Sequence, residues 1–142
     1  MFEKIKKIFK NINKGFIYIV DKETLIKFLN EQIEFAKNNN LEMIEELNIY
    51  FNDSKYLLSL YDYSYSNEEN EREKGISVLF ENKEYKTVNN LFENGIINGI
   101  YLRDIKYFKI ELIYGDNINL NKYRENHPEL TEEFLNNYNN SI

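Results

Sequence analysis

Apolar positions change their spacing several times along this chain, and each change marks an element. Phe2, Ile5, Phe9 and Ile12 recur every three or four residues, with Ile8 alongside, which predicts a helix over 2–13 stopped by Gly15. FIYIV, 16–20, reads as a short strand, apolar on both faces and so expected at the centre of a sheet. Asp21 has the chemistry of a helix N-cap. Leu25, Leu29, Ile33 and Ala36 then form a stripe, widened by Ile26, Phe28 and Phe35, over a helix of 22–38 that Asn38-Asn39-Asn40 ends. Residues 41–46 are ambiguous, with one further helical turn as an option.

From Leu47 the period becomes two. Leu47, Ile49 and Phe51 alternate with Asn48 and Tyr50, Asn52-Asp53-Ser54 signals a turn, and Tyr56, Leu58 and Leu60 alternate with Leu57, Ser59 and Tyr61. This predicts a hairpin with strands 46–51 and 55–63. A single helix through 41–62 is the alternative, and the aromatic content and the central turn speak against it. Residues 64–74 read as an acidic loop, 75–81 as a strand with Ile76, Val78 and Phe80 on one face, and 81–84 as a turn. Thr87 caps a helix over 88–94 that buries Val88, Leu91 and Phe92, with Gly95 expected as its left-handed end. Asn98-Gly99 is a strong turn dipeptide, and 101–105 reads as another helical turn. Phe108, Ile110, Leu112 and Tyr114 mark a strand over 106–114, and 117–126 reads as a polar loop. Pro128 suits the first turn of a terminal helix, 128–139, striped by Leu130, Phe134, Leu135 and Tyr138. The expected architecture is α+β. One domain over 1–142 carries a mostly antiparallel sheet of four to five strands with helices packed on one face.

Charge changes the picture, because it is unevenly divided. Residues 1–14 hold five Lys and one Glu, a net +4; residues 15–142 hold the other 13 cations and 23 anions, a net −10. An acidic body repels phosphate backbones and attracts basic surfaces, so a basic protein is the expected partner and direct nucleic-acid binding is not expected. Cysteine is absent, which excludes disulfides, thiolate zinc sites and a cysteine nucleophile. No apolar run approaches the length of a membrane span, and the first residues lack the unbroken apolar core of a signal peptide, so a cytoplasmic location is expected. The basic N-terminal helix, with Lys4, Lys6, Lys7, Lys10 and Lys14, suits a membrane surface, docking on the sheet with its lysines in water, or electrostatic docking on the acidic body of its own chain.

The segment YKTVNNLFENGIINGIYLRDIKYFKIELI, Tyr85 to Ile113, resembles the central part of small bacterial immunity proteins from polymorphic-toxin and contact-dependent-inhibition systems. The matching residues are Leu91, Ile96, Ile97, Asn98, Gly99, Leu102, Ile105 and the strand 106–114; the aromatic that often follows the Leu-x-x-Ile turn is displaced to Tyr107 and Phe108. The resemblance covers about a fifth of the chain. It implies a protein that sequesters a toxin domain, such as a nuclease, and does no chemistry itself.

The tyrosines supply a candidate surface. Tyr56, Tyr61, Asp62, Tyr63 and Tyr65 run into Glu68, Glu69, Glu71 and Glu73. Tyrosine gives large contact area at little rotamer cost, and carboxylates around it match lysines and arginines on a partner. A strand leading into a solvated loop would produce the same string, so exposure of Tyr61 and Tyr63 is the discriminating expectation. Other chemistry is thin. His127 is the only imidazole and is expected to flank the last helix; neither a metal site nor a cofactor is expected. Glu45-Glu46, Glu68-Glu69 and Glu132-Glu133 are the carboxylate pairs an acid–base enzyme would need, all in polar contexts expected to be exposed. The five glycines are isolated and build no phosphate loop. The leading reading is a non-enzymatic protein inhibitor, an immunity protein against a bacterial toxin. A phage-encoded antagonist of a nucleic-acid-directed defence enzyme, a carboxylate enzyme and an adaptor using the basic helix are the alternatives.

Overall fold

The computed structural model describes residues 16–113 and 117–142; the helix expected over 2–13 lies outside the described residues. Strand β1 (Phe16–Asp21) leads into helix α1 (Lys22–Asn39), followed by β2 (Met43–Phe51) and β3 (Ser54–Asp62). A 3-10 turn (Tyr63–Tyr65) and one helical turn, α2 (Glu69–Arg72), precede β4 (Ile76–Phe80) and β5 (Lys83–Tyr85). Then come α3 (Val88–Asn94), the small hairpin β6 (Ile96–Ile97) and β7 (Ile100–Tyr101), a 3-10 turn (Leu102–Asp104), β8 (Tyr107–Leu112), α4 (Ile118–Asn126) and α5 (Glu132–Ser141).

The main sheet has six strands in the order β1-β8-β2-β3-β4-β5, and every neighbouring pair is antiparallel. The α+β class and the antiparallel sheet are as expected, but the sheet is larger. The extra strand is β5, three residues long and entered through a tight turn with Glu81 and Asn82 at positive φ. Strand alternation sends Tyr18, Val20, Leu47, Ile49, Phe51, Leu58, Leu60, Val78, Phe80, Phe108, Ile110 and Leu112 inward, all at most 5% exposed. Against this face α1 lays Leu25, Phe28, Leu29 and Ala36, and α3 lays Val88, Leu91 and Phe92, whose ring meets Phe108 edge-on at 5.8 Å. Leu120 of α4 joins the same core.

Helices on one face only is corrected. Tyr107 and Lys109 alternate with the inward residues of β8, and α5 packs on them. Phe134 and Tyr138 meet the Tyr107 ring edge-on at 5.0 and 5.2 Å, and Glu132 pairs with Lys109 at 2.9 Å. Beyond α5 the outer face continues as rows across the strands: Ile17, Glu111, Asn48, Leu57; then Glu46, Ser59, Leu79, Glu84; then Met43, Tyr61, Ser77.

Four further expectations change. β1 is an edge strand, not a central one; α4 covers its free edge, Arg124 donating to the Ile17 carbonyl and the Asp21 amide donating to the Tyr123 hydroxyl, both at 3.3 Å. Residues 41–46 are not helical beyond α1: Asn40, at φ 54, ends that helix and β2 starts at Met43. Residues 117–126 form a helix capped by Asn117, whose side chain accepts from the Leu120 amide. The last helix starts at Glu132, capped by Thr131, four residues after Pro128.

Gly95 is not left-handed; its φ of −68° and ψ of 149° are open to any residue. A Cβ there would lie 2.7 Å from the Leu91 carbonyl oxygen and 2.9 Å from the δ-methyls of Leu91 and Leu102, all in the core. Gly99 has φ +79° and open space around it. Gly95→Ala is therefore expected to cost about 1–3 kcal/mol through overpacking, whereas Gly99→Ala carries only a backbone penalty of about 1–2 kcal/mol. Urea unfolding of both variants checks this; relief of the Gly95→Ala loss by a partnering Leu102→Ala would identify the clash.

Candidate protein-binding surface

At one end of the sheet, β2 begins with a register shift between Met43 and Glu45. The bulge turns Met43 to the outer face, 46% exposed and opposite Tyr61, while Glu45 is buried. β3 ends at Asp62, also buried, whose carboxylate accepts from the Ser64 amide at 3.0 Å and the Ser64 hydroxyl at 2.6 Å. That cap starts the 3-10 turn that carries Tyr63 and Tyr65. The rings of Tyr61 and Tyr63 meet at 4.8 Å, and Lys74 Nζ stands 5.3 Å from the centre of Tyr63. Tyr61 donates its hydroxyl proton to the Glu42 carboxylate, and Tyr65 donates to Asn40 at 3.1 Å. Tyr65 and Leu41 are 43% and 40% exposed, whereas Tyr61 and Tyr63, expected to form an exposed row, are half-buried because their rings pack on each other and Tyr63 lies beneath Lys74.

The result is a patch of Leu41, Met43, Tyr61, Tyr63 and Tyr65 with acidic groups around it. Glu68, Glu69 and Glu73 are exposed, and Glu71 is held by the Ser66 hydroxyl at 2.9 Å. Residues 61–74 carry five carboxylates and two cations, a net −3. Among the described residues, no lysine or arginine lies within ion-pair distance of Glu42, Glu68, Glu69, Glu71 or Glu73.

Seven of the nine residues proposed from sequence fall in this lobe: Tyr61, Tyr63, Tyr65, Glu68, Glu69, Glu71 and Glu73. Tyr56 and Asp62 do not serve as surface. Tyr56 shares the inward side of β3 with Leu58 and stacks on Phe80 at 6.2 Å, and Asp62 is a buried cap. Leu41, Glu42 and Met43 were missed, since a bulge has no residue signature and the segment resembles a helix end.

The carboxylate pairs also differ from expectation at one place. Glu45 is buried, and desolvation pushes its carboxyl above the ordinary value of 4.5, against the opposing effect of hydrogen bonds from the Glu46 amide and Gln32. Its two oxygens are thereby occupied. His127 caps the end of α4, stacks on Tyr123 at 4.3 Å and lies 3.1 Å from a Glu129 oxygen. Among the described residues, no three His, Asp or Glu side chains are grouped to hold a metal, and no helix is long and apolar enough to cross a membrane. An open groove of about 450 Å³ runs between α1 and α4, floored by Phe28 and Leu120 and edged by Lys27, Glu31 and Lys122. It brings no pair of carboxylates together.

Compared with protein-family models, curated proteins and solved structures, the chain has no significant match to any of the three.

Two titrations follow. The Glu42 hydrogen bond, first among the causes, pushes the Tyr61 phenol up to about 12. Glu42→Gln is expected to return it toward the ordinary value of 10, read from the Tyr61 ring carbon by NMR between pH 9 and 13 in roughly half-unit steps. A value unmoved by the substitution would mean that the bond is not formed. For Glu45 the folded carboxyl is raised, so its contribution is complete below pH 4.5 and is lost as pH rises through the elevated value. Glu45→Gln should therefore be at least as stable as the parent at neutral pH and lose that advantage in acid. Denaturant unfolding across the pH range checks the sign.

Proposed function

We propose that the chain is a non-enzymatic protein inhibitor that binds a basic protein through the lobe of residues 41–43 and 61–73, and that it acts as an immunity protein against a bacterial toxin domain such as a nuclease. The observation that supports this reading is the composition of the lobe: Leu41, Met43 and Tyr65 exposed beside the half-buried rings of Tyr61 and Tyr63, edged by carboxylates with which no cation of the described residues forms an ion pair. Apolar and aromatic groups at the centre with charge at the rim is the anatomy of a protein interface. The rings lose little entropy on binding, because packing and hydroxyl hydrogen bonds already orient them. The rim carboxylates raise the encounter rate with a cationic partner. The acidity that suits such a partner disfavours a nucleic-acid ligand. The resemblance over 85–113 lies on α3, the small hairpin and β8, away from the lobe, so it informs the class of protein and not the contact surface.

Recovered from its native cell, the tagged chain is expected to hold one basic protein at equal stoichiometry. With that purified complex, Met43→Ala plus Tyr65→Ala should weaken affinity by about tenfold or more, roughly 1.4 kcal/mol, with little change in the inhibitor's thermal midpoint. Glu69→Lys plus Glu73→Lys should slow association several-fold at low salt and leave dissociation nearly unchanged. An acidic partner, or affinity indifferent to all four substitutions, would overturn the reading.

A further inference from the structure

Beside the lobe, the outer face of the sheet continues with the same chemistry. α5 takes the end of that face where Tyr107 and Lys109 lie. Toward the lobe, the row Glu46, Ser59, Leu79 and Glu84 adjoins the row Met43, Tyr61 and Ser77, about 7 Å away along the strands. The row Glu111, Asn48 and Leu57 follows one repeat further on. Leu57 is 41% exposed, Glu84 is exposed, and Glu46 and Leu79 are half-buried. Glu81 stands against Leu57, accepting from its backbone amide at 2.7 Å, and Glu84 accepts from the Ser77 hydroxyl. Among the described residues, no lysine or arginine is within ion-pair distance of Glu46, Glu81, Glu84 or Glu111. The described lysines of this face, Lys55 and Lys109, flank Tyr50 at the α5 end.

Aliphatic groups among unpaired carboxylates thus run on from the lobe without a break. The lobe, 41–43 and 61–73, has 16 residues, and Asp62 among them is buried. A standard interface uses roughly 20–30 residues on each side, so the lobe alone falls short and the adjoining rows supply the difference. We propose that the basic protein held at the lobe extends from it across the outer face of β2, β3 and β4, with aliphatic side chains on Leu57 and Leu79 and lysines or arginines beside Glu46, Glu81 and Glu84. The proposal rests on the reading of the lobe given above. Charge selects the occupant. A second copy of this chain would set these carboxylates against their own kind, which is costly, and phosphates are repelled for the same reason. An uncharged apolar partner would bury the carboxylates unpaired. A segment in which cationic and aliphatic side chains alternate satisfies both components of the face.

Two sets of variants separate the face from the lobe. In the complex purified from the native cell, Leu57→Ala with Glu46→Gln and Glu84→Gln is expected to weaken affinity about tenfold or more, with the free chain's thermal midpoint nearly unchanged. Glutamine keeps an acceptor for Ser77. Loss with Met43→Ala plus Tyr65→Ala but not with the face set overturns the extension and leaves the lobe reading standing. Loss with the face set alone overturns the lobe reading and, with it, the continuous contact; indifference to both sets overturns both. A probe of defined chemistry gives a second measurement on the free, isotope-labelled chain: an octapeptide alternating Leu and Lys, against one alternating Ser and Lys. The first is expected to bind several-fold tighter and to shift the amides of Leu57, Ser59, Leu79 and Glu84 together with those of Met43 and Tyr61. Equal affinities, or shifts that stop at the lobe, overturn the proposal.

Discussion

Removing one face of a six-stranded sheet from water is the constraint on which this molecule depends. Twelve inward strand side chains are almost fully buried, each contributing about 1.5–3 kcal/mol of gross burial. The ion pairs of the described residues are mostly exposed, a type worth about 0–1 kcal/mol apiece. Burial therefore holds the fold, and it also sets the register. A slip of one residue in β3 would exchange Leu58 and Leu60 for Leu57 and Ser59, putting a hydroxyl into the core and two leucines into water. Because charge is not needed to hold the sheet, the carboxylates are free to be placed for other purposes.

The alternation is broken at the bulge between Met43 and Glu45, and the lobe is built around that break. The extra residue sends Met43 out beside Tyr61 and leaves Glu45 inside. At the facing strand end, Asp62 is also inside. Both buried carboxylates have hydrogen-bond donors, Gln32 and the Glu46 amide for one and Ser64 for the other. The tyrosine rings thus rest on satisfied polar groups, which makes the patch rigid at its base. Rigidity there matters more than area, since an interface gains little from contacts it must first order.

Local chemistry was legible in the sequence, and non-local cover was not. The caps at Asp21 and Thr87, the hairpin turn at Asn52 and Asp53 and the Asn98-Gly99 turn depend on neighbours within a few residues, and they stand where the pattern put them, although β2 begins three residues before the expected Glu46. Asparagine explains much of this punctuation: Asn40, Asn52, Asn82 and Asn98 all sit at positive φ, where its side chain is tolerated. What failed has a different origin. α4 buries only Leu120 and so has no stripe to read. The side of the sheet taken by α5 follows from contacts between Tyr107 and rings near residue 136, and β1, read as central, is an edge strand that a helix covers. In the lobe, Tyr61, Tyr63 and Tyr65 were found by composition, whereas Tyr56 was misplaced because phase along β3, not residue type, decides which ring goes inside.

Two acidic regions on one small protein act separately only if their fields are separate. Along a strand, residues of one face repeat about every 7 Å, so the row of Glu111 lies two repeats, about 14 Å, from the row of Tyr61. Screening at physiological salt acts over about 8 Å. Glu111 therefore adds little to the field at the lobe, whereas Glu46 and Glu84, whose row lies one repeat or about 7 Å from that of Tyr61, stand within the screening length and extend the negative field of the lobe. The carboxylates of the lobe would govern how fast the partner arrives, and Met43 with the three tyrosines how long it stays.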